Sequence, residues 1–110
     1  MPDLRHVAIT GASSGIGAAL AMAYAAPGIR LSLAGRDATR LSAIAQSCRD
    51  AGAETCVTVF DVTDWAAAAL WINEADDILP IDLAIANAGI SAGSGDGGET
   101  AEQARVILKV

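Results

Sequence analysis

Aromatic residues and lysine are scarce in this chain of 110 residues, which holds one tyrosine, one phenylalanine, two tryptophans and a single lysine. Aromatic residues make up only 4% of the chain while 53% of it is hydrophobic, so the apolar side chains are mostly alanine, leucine, isoleucine and valine. This composition favours helices packed on a buried sheet over a β-sandwich, and it excludes global disorder. The length allows one domain at most.

Cysteine and long apolar runs are also scarce. Cys48 and Cys56 do not have the spacing of metal ligands, and although a disulfide between them is possible arithmetically, we expect two reduced thiols. The first ten residues lack the apolar run of a signal peptide, and no stretch approaches the ~20 apolar residues that a membrane span requires. We therefore expect a cytoplasmic protein with no membrane partner and no bound metal.

Positive charge is in deficit, because the net charge is −6 and the isoelectric point is about 4.4. An acidic surface disfavours nucleic acids and anionic membranes as partners, since both carry negative charge.

Short apolar runs alternate with helical patterns along the whole chain. Strands are predicted over His6–Thr10, Ile29–Ala34, Thr55–Phe60 and Ile81–Ala86. Helices are predicted over Gly15–Ala26, from a cap at Asp37 or Thr39 to Ala51, over Trp65–Ala75 after an Asp64 cap, and over Glu99–Val110. Strands with almost no polar positions are typical of a parallel sheet covered on both faces.

This order predicts an α/β fold, a three-layer Rossmann-like doubly wound parallel sheet of four strands. The whole chain, 1–110, is predicted to be one domain that ends at the start of the helix after the fourth strand.

A glycine-rich loop follows the first predicted strand, in the position where a dinucleotide fold binds phosphate. Gly11 would allow the tight turn, Gly15 would let backbone N–H groups approach a pyrophosphate, and Gly17 would let the helix pack closely on the strands. The hydroxyls of Ser13 and Ser14 could donate hydrogen bonds to phosphate. The spacing is G-x-x-x-G-x-G rather than G-x-G-x-x-G, and a P-loop is excluded because the motif has no lysine. The alternative is a glycine-rich turn without a ligand.

Three motifs together resemble those of the short-chain dehydrogenase/reductase family. They are the loop Thr10–Gly17, the pair Asp61-Val62 after the third strand, and Asn87-Ala88-Gly89 after the fourth. The resemblance extends from about residue 5 to 110 and corresponds to the N-terminal half of a family member, because such proteins are normally more than twice this long.

The resemblance implies a dinucleotide site. In the family the loop cradles the pyrophosphate, the acid matching Asp61 lies beside the adenine, and Asn-Ala-Gly brings backbone close to the nicotinamide ribose. The residues predicted to bind the cofactor are Gly11, Ser13, Ser14, Gly15, Ile16, Gly17, Arg36, Asp61, Val62, Asn87, Ala88 and Gly89. For Asp61 the alternative is a strand-terminal cap, and for Asn87 it is a purely structural amide that connects neighbouring strands.

The end of the second strand indicates which dinucleotide is preferred. A carboxylate there would accept the ribose hydroxyls and repel a 2′-phosphate, whereas a guanidinium would attract that phosphate. Gly35 stands where relatives that prefer NAD carry the acid, and Arg36 follows it. We therefore expect NADP(H) to be favoured over NAD(H), although Asp37 could pair with Arg36 or Arg40 and weaken the effect.

The chemistry of the family is absent from this sequence. Family members transfer hydride between nicotinamide and a carbonyl or alcohol, with a Tyr-x-x-x-Lys pair moving the proton. Here Tyr24 is the only tyrosine and Gly28 stands four residues later, so no catalytic residue is assigned. His6 has no Ser or Asp partner pattern that would suggest a triad. We expect an oxidoreductase of this family whose 110-residue chain is inactive alone.

Two alternatives stay open at this point. One is a dinucleotide-binding or sensing module without a reaction, and the other is an interaction unit that keeps the fold but not the ligand. The fourth strand, Ile81–Ala86, would be an exposed edge, so we expect a homo-oligomer formed through that edge or through the Glu99–Val110 helix.

Overall fold

The computed structural model describes residues 4–13, 15–61 and 63–87, and the backbone of 104–108. Strands and helices alternate through the fourth strand, as the sequence pattern predicted. In chain order the elements are β1 His6–Thr10, α1 Gly15–Tyr24, β2 Arg30–Gly35, α2 Ala38–Asp50, β3 Glu54–Val59, α3 Trp65–Ile78, β4 Leu83–Asn87 and β5 Ala104–Leu108.

The strands form one sheet in the order β3-β2-β1-β4-β5. Strand β1 is parallel to both of its neighbours, so that Ile9 lies opposite Leu33 on one side and Ile85 on the other. The chain runs outward from β1 through β2 to β3 and then crosses to β4 on the other side of β1. This reversal of direction leaves a crevice beyond the carboxyl ends of β1 and β4, which is where open α/β sheets bind their ligands. The predicted doubly wound parallel sheet of four strands is confirmed.

Apolar side chains on the two faces of the sheet make two separate cores. Alternate residues of β1, β2 and β4 pack against α1 and α2, whereas Ala8 and Ala34 on the opposite face pack against α3. The larger cluster comprises Val7, Ile9, Ala12, Ala21, Leu31, Leu33, Leu41, Ala45, Cys48, Ala53, Leu83 and Ile85. On the other face Trp71 meets Phe60 edge-on, with ring centroids 5.7 Å apart. These three layers are what strands with few polar positions require.

Two helices begin at aspartate caps. The Asp37 carboxylate accepts a hydrogen bond from the Arg40 backbone N–H at 3.0 Å, and the Asp64 carboxylate accepts one from the Ala67 N–H at 3.0 Å. Each bond satisfies a backbone donor that has no partner inside the helix. The Asp64 cap is confirmed, and of the two caps considered for α2 it is Asp37 that serves.

The predicted helix over Glu99–Val110 is wrong where the structure describes it, because Ala104–Leu108 form strand β5. This strand lies antiparallel to β4, with Val106 opposite Ile85. The helical spacing of alanines and leucine misled the prediction, because short apolar runs do not distinguish helix from strand by periodicity alone. The adjacent β-branched Val106 and Ile107 suit a strand, and pairing gives the outer backbone groups of β4 the partners that they would otherwise lack.

The same pairing corrects the predicted exposed edge. Strand β4 is interior to the described sheet, with β1 on one side and β5 on the other, and the edge strands are β3 and β5. Self-association through a bare β4 or through a C-terminal helix therefore loses both of its premises.

A buried polar network lies at the amino ends of the strands. His6 is fully buried, its Nδ1 lies 2.6 Å from the Leu79 carbonyl oxygen and its Nε2 lies 2.7 Å from the Ser32 hydroxyl. The carbonyl can only accept, so Nδ1 carries the proton and Nε2 accepts from Ser32. Burial lowers the pKa of His6 below its ordinary value of 6.5. The neutral ring thus joins β1, β2 and the chain after α3.

Candidate cofactor-binding site

The glycine loop at the carboxyl end of β1 is held against the start of α1 by very close packing. Gly11 has φ +68°, in the left-handed region that side chains rarely adopt, and a Cβ atom there would collide with the Asn87 carbonyl oxygen. A Cβ atom on Gly17 would collide with the Gly11 carbonyl oxygen and stand 2.9 Å from Cα of Ala12. Two of the three loop glycines are therefore required by the packing of the chain itself.

Hydrogen bonds attach the loop to both neighbours of β1. The Ala12 N–H donates to the Ala34 carbonyl of β2 at 2.9 Å. On the other side the Asn87 side-chain amide donates to the Gly11 carbonyl at 3.1 Å, and the Asn87 backbone N–H donates to the Thr10 hydroxyl at 3.2 Å. The loop therefore has a defined position relative to the ends of β2 and β4. Asn87 has the sheet-connecting contacts expected from the structural interpretation of this residue.

Gly15 differs from the other two loop glycines. It is exposed at the first position of α1, and apart from its chain neighbours and the backbone of its own helix, no atom of the described residues lies within 4 Å of where its Cβ would be. Nor does the first turn of α1 contain an acidic residue. A helix start with free N–H groups attracts an anion, because the helix dipole places partial positive charge there. This open space fits a phosphate group approaching the backbone.

The end of β2 presents one cation beside the loop. Gly35 is buried, and Arg36, which follows it, is exposed. Asp37 is engaged elsewhere, because it caps α2 and one of its carboxylate oxygens lies 3.7 Å from Nε of Arg40. Of the two pairs considered from the sequence, the structure therefore shows the one between Asp37 and Arg40.

Asp61, which follows β3, is an ionised group near Arg36. Its carboxylate accepts hydrogen bonds from the Thr63 backbone N–H at 2.9 Å and from the Thr63 hydroxyl at 2.8 Å. These two bonds lower the pKa of the Asp61 carboxyl below its ordinary value, and the positive charge of Arg36 lowers it further. Asp61 therefore remains a carboxylate at neutral pH and caps the turn that leads to α3.

The fold brings the described predicted residues to one edge of the sheet, because β1, β2, β3 and β4 are parallel and each ends at that edge. Ile16 lies exposed in the first turn of α1, next to Gly15. The predicted site residues Ser14, Val62, Ala88 and Gly89 lie outside the described residues.

Two contacts of this edge were missed by the sequence analysis. The Thr10 hydroxyl accepts from Asn87, and it could have been found, since both residues end strands that the predicted topology makes neighbours. The Ser13 side chain lies against Gly35. Nothing in the sequence spacing indicates that second contact, because it depends on how the loop is folded onto β2.

Some kinds of site are absent from the part of the chain that the structure describes. No cluster of three or more His, Cys, Asp or Glu residues could hold a metal ion there. Tyr24 ends α1 half-buried and packs against the larger core, so its position is structural. Within the same residues no helix is both long and apolar enough to cross a membrane.

Comparison with known proteins identifies the family. The family model described as short chain dehydrogenase matches residues 5–108, so the chain belongs to the short-chain dehydrogenase/reductase family. The chain is 35% identical over 107 residues to a 3-dehydrosphinganine reductase of Arabidopsis thaliana, with 96% of this chain and 31% of that protein covered. It is also 40% identical over 84 residues to a galactitol 2-dehydrogenase (L-tagatose-forming) of Cereibacter sphaeroides, covering 76% of this chain and 32% of that protein.

Solved structures agree with this assignment. A short-chain dehydrogenase/reductase from Serratia marcescens superposes with a TM-score of 0.72 at 27% identity, covering 78% of this chain and 36% of that one. The chain thus spans about a third of the length of the relatives that it matches.

Proposed function

We propose that this chain is the cofactor-binding part of a short-chain oxidoreductase that favours NADP(H) over NAD(H). The observation that carries the proposal is the loop Gly11–Gly17, which is attached to β2 and β4 and leaves the start of α1 open at Gly15. Bound nicotinamide dinucleotide would supply hydride chemistry, and this part of the protein would bind and orient it.

The residues divide this binding among the ends of four parallel strands. The loop with Ser13, Ser14 and Ile16 would hold the pyrophosphate, aided by the N-terminal dipole of α1. Asp61 with Val62 would contact the adenine end, and Asn87-Ala88-Gly89 would approach the nicotinamide ribose. This assignment is supported by family membership and by the shared edge on which the described residues lie.

The preference for NADP(H) rests on charge at the end of β2. Arg36 is exposed and Asp37 pairs with Arg40, so among the described carboxylates it is the nearby Asp61 that a 2′-phosphate would compete with for the guanidinium of Arg36. A charge-assisted contact of about 1.5–3 kcal/mol corresponds to about tenfold or more in affinity. Position 35 is a glycine, so the acid that would select a ribose hydroxyl is absent from it.

Titration of the chain with NADPH and with NADH tests the proposal, using tryptophan emission and energy transfer to the reduced nicotinamide. We expect saturable binding of both cofactors, with the higher affinity for NADPH. An Arg36→Gln variant should lose about tenfold in affinity for NADPH and keep its affinity for NADH. Arg49→Gln is the matched control, because it removes an equal charge from the exposed last turn of α2 without disturbing the Asp37–Arg40 pair, and it should leave the ratio unchanged. Absence of saturable binding at millimolar cofactor would exclude both hypotheses in which this chain binds a dinucleotide.

We propose that hydride transfer by the whole protein requires residues beyond these 110, because the sequence contains no Tyr-x-x-x-Lys. The relatives include a reductase of 3-dehydrosphinganine and a dehydrogenase of galactitol, which act on different substrates at the same kind of carbonyl/alcohol couple. We infer that couple as the reaction class. The chain alone should bind NADPH without consuming it in the presence of ketones, and turnover by the chain would contradict this inference.

A further inference from the structure

Gly35, the last residue of β2, has too little space around it for a side chain, whereas its backbone angles do not require a glycine. Among the described glycines the positive φ values belong to Gly11, Gly28 and Gly52, so Gly35 has a backbone that any residue could adopt. It is buried, and its carbonyl accepts a hydrogen bond from the Phe60 N–H at 3.0 Å. The constraint on position 35 must therefore come from its neighbours.

The neighbour is Ser13 of the glycine loop. A Cβ atom on Gly35 would stand 2.7 Å from the Ser13 hydroxyl oxygen, 3.3 Å from Ser13 Cβ and 3.3 Å from its backbone nitrogen. Rotation of the hydroxyl would relieve the first contact, but the other two are tight contacts that require Ser13 and Gly35 to move apart slightly. Such a shift is opposed on both sides, because Ala12 next to Ser13 donates to Ala34 while Gly35 accepts from Phe60.

This contact bears on cofactor choice, because the end of the second strand is where a dinucleotide fold places the acid that binds a 2′-hydroxyl. We propose that Ser13 is a specificity-determining residue, whose side chain occupies the space that an acidic side chain at position 35 would need and so leaves Arg36 as the charged group there. The inference rests on the proposed function of this edge as the cofactor site. It assigns the exclusion of NAD-type binding to a pair of residues, Ser13 and Gly35, rather than to Arg36 alone.

A double-mutant cycle on stability tests the steric part without any cofactor. Gly35→Ala should lower the midpoint of urea unfolding when Ser13 is present. The decrease should be smaller in a Ser13→Ala background, and smallest in a Ser13→Gly background, because Ser13→Gly removes both of the side-chain atoms in contact. Gly35→Ala combined with Asp64→Ala, a cap on another helix, is the control and should be additive. An equal effect of Gly35→Ala in all backgrounds would overturn the inference.

A second cycle measures the dissociation constants of NADPH and NADH. Gly35→Asp alone should weaken the binding of NADPH by about tenfold or more without strengthening the binding of NADH, because the new side chain has no space beside Ser13. With Ser13→Gly added, NADH affinity should rise about tenfold, since the carboxylate can then reach a ribose hydroxyl. Arg36→Asp is the matched control, because its acid stands one residue further on and its effect should not depend on Ser13.

The outcomes separate this inference from the function on which it rests. If both cofactors bind but Gly35→Asp has the same effect with and without Ser13, the role of Ser13 is wrong and the cofactor site stands. If no variant binds either cofactor saturably, the proposed function and the specificity role fall together, even where the stability cycle shows coupling.

Discussion

Three glycines of one loop are glycine for different physical reasons. Gly11 needs its left-handed backbone, Gly17 needs the absence of a side chain against the loop, and Gly15 faces open space. Packing explains the first two without any ligand, and only the third has no reason within the described residues. Gly11 and Gly17 are therefore needed to build the loop, whereas Gly15 leaves room for a ligand.

Gly17→Ala should destabilise the chain by about 1–3 kcal/mol, because the new methyl group overpacks against Gly11 and Ala12. Gly15→Ala is the matched substitution two residues earlier in the same helix, and it should stabilise by about 0.4–1 kcal/mol through the unfolded state. The same Gly15→Ala substitution should weaken the binding of NADPH, because its methyl group would occupy the open space beside the start of α1. Urea unfolding and cofactor titration measure the two effects, and equal destabilisation by both variants would contradict this account.

His6 makes stability depend on pH. Its folded pKa lies below 6.5 because of burial, and among the charges that face it Arg30 lowers the pKa while Asp82 and Asp76 raise it. The unfolded chain therefore binds a proton first as the pH falls. The stabilisation that neutral His6 contributes to the folded state is therefore fully present above about pH 6.5 and is lost as the pH falls below that value.

Unfolding free energy measured from about pH 7 to about pH 5 should fall for the natural chain, and the slope should be much smaller for His6→Gln, whose amide stays neutral. The sequence has one histidine, so no second imidazole contributes in this range. The carboxyl of Asp82, whose pKa is lowered first by its bond from the Arg5 N–H, loses its contribution only below its ordinary value of 3.8. Identical slopes for the two chains would remove His6 as the cause.

At the scale of elements, β4 was predictable from its local sequence pattern, whereas β5 depends on its pairing with β4. Strands β1 to β4 and helices α1 to α3 follow from apolar runs, glycine turns and aspartate caps, so the sequence could place them within a few residues. Ala104–Leu108 could not be placed in this way, because its apolar spacing fits a helix while its pairing with β4 makes it a strand. The decision depends on backbone groups of β4 that are distant in sequence.

Proline at Val106 tests that pairing. Val106→Pro removes a backbone N–H and should weaken the ladder between β4 and β5, so that the amides of β4 directed toward β5 exchange about tenfold faster or more. Those directed toward β1 should keep their protection, and Val106→Thr, which retains a β-branched side chain, is the control. Unchanged exchange in Leu83–Asn87 would show that β5 contributes little to the sheet.

At the scale of the whole molecule, the parallel strands collect at one edge the groups that the proposed cofactor would bind. The net charge of −6 opposes an anionic ligand, so local features must overcome it: the start of α1 and the guanidinium of Arg36. Binding there should stabilise the fold as a unit, because the loop is attached to β2 and β4.

A cofactor at about 100 times its dissociation constant should add about 2.7 kcal/mol, which raises the midpoint of thermal unfolding by several degrees. At equal concentration NADP⁺ should raise it more than NAD⁺, and Arg36→Gln should reduce that difference while Arg49→Gln, which leaves the Asp37–Arg40 pair intact, preserves it. Differential scanning calorimetry provides the measurement, and equal shifts for the two dinucleotides would refute the preference for NADP(H).

The sequence by itself determined the alternation of strands and helices, the parallel sheet and the loop between β1 and α1, because apolar period, glycine turns and capping residues act over short distances. It also placed Arg36 and Asp61 at strand ends. Tertiary structure alone decided that Ala104–Leu108 is a strand and that the Ser13 side chain lies against Gly35. Each of these depends on which backbone or side chain arrives from a distant part of the chain.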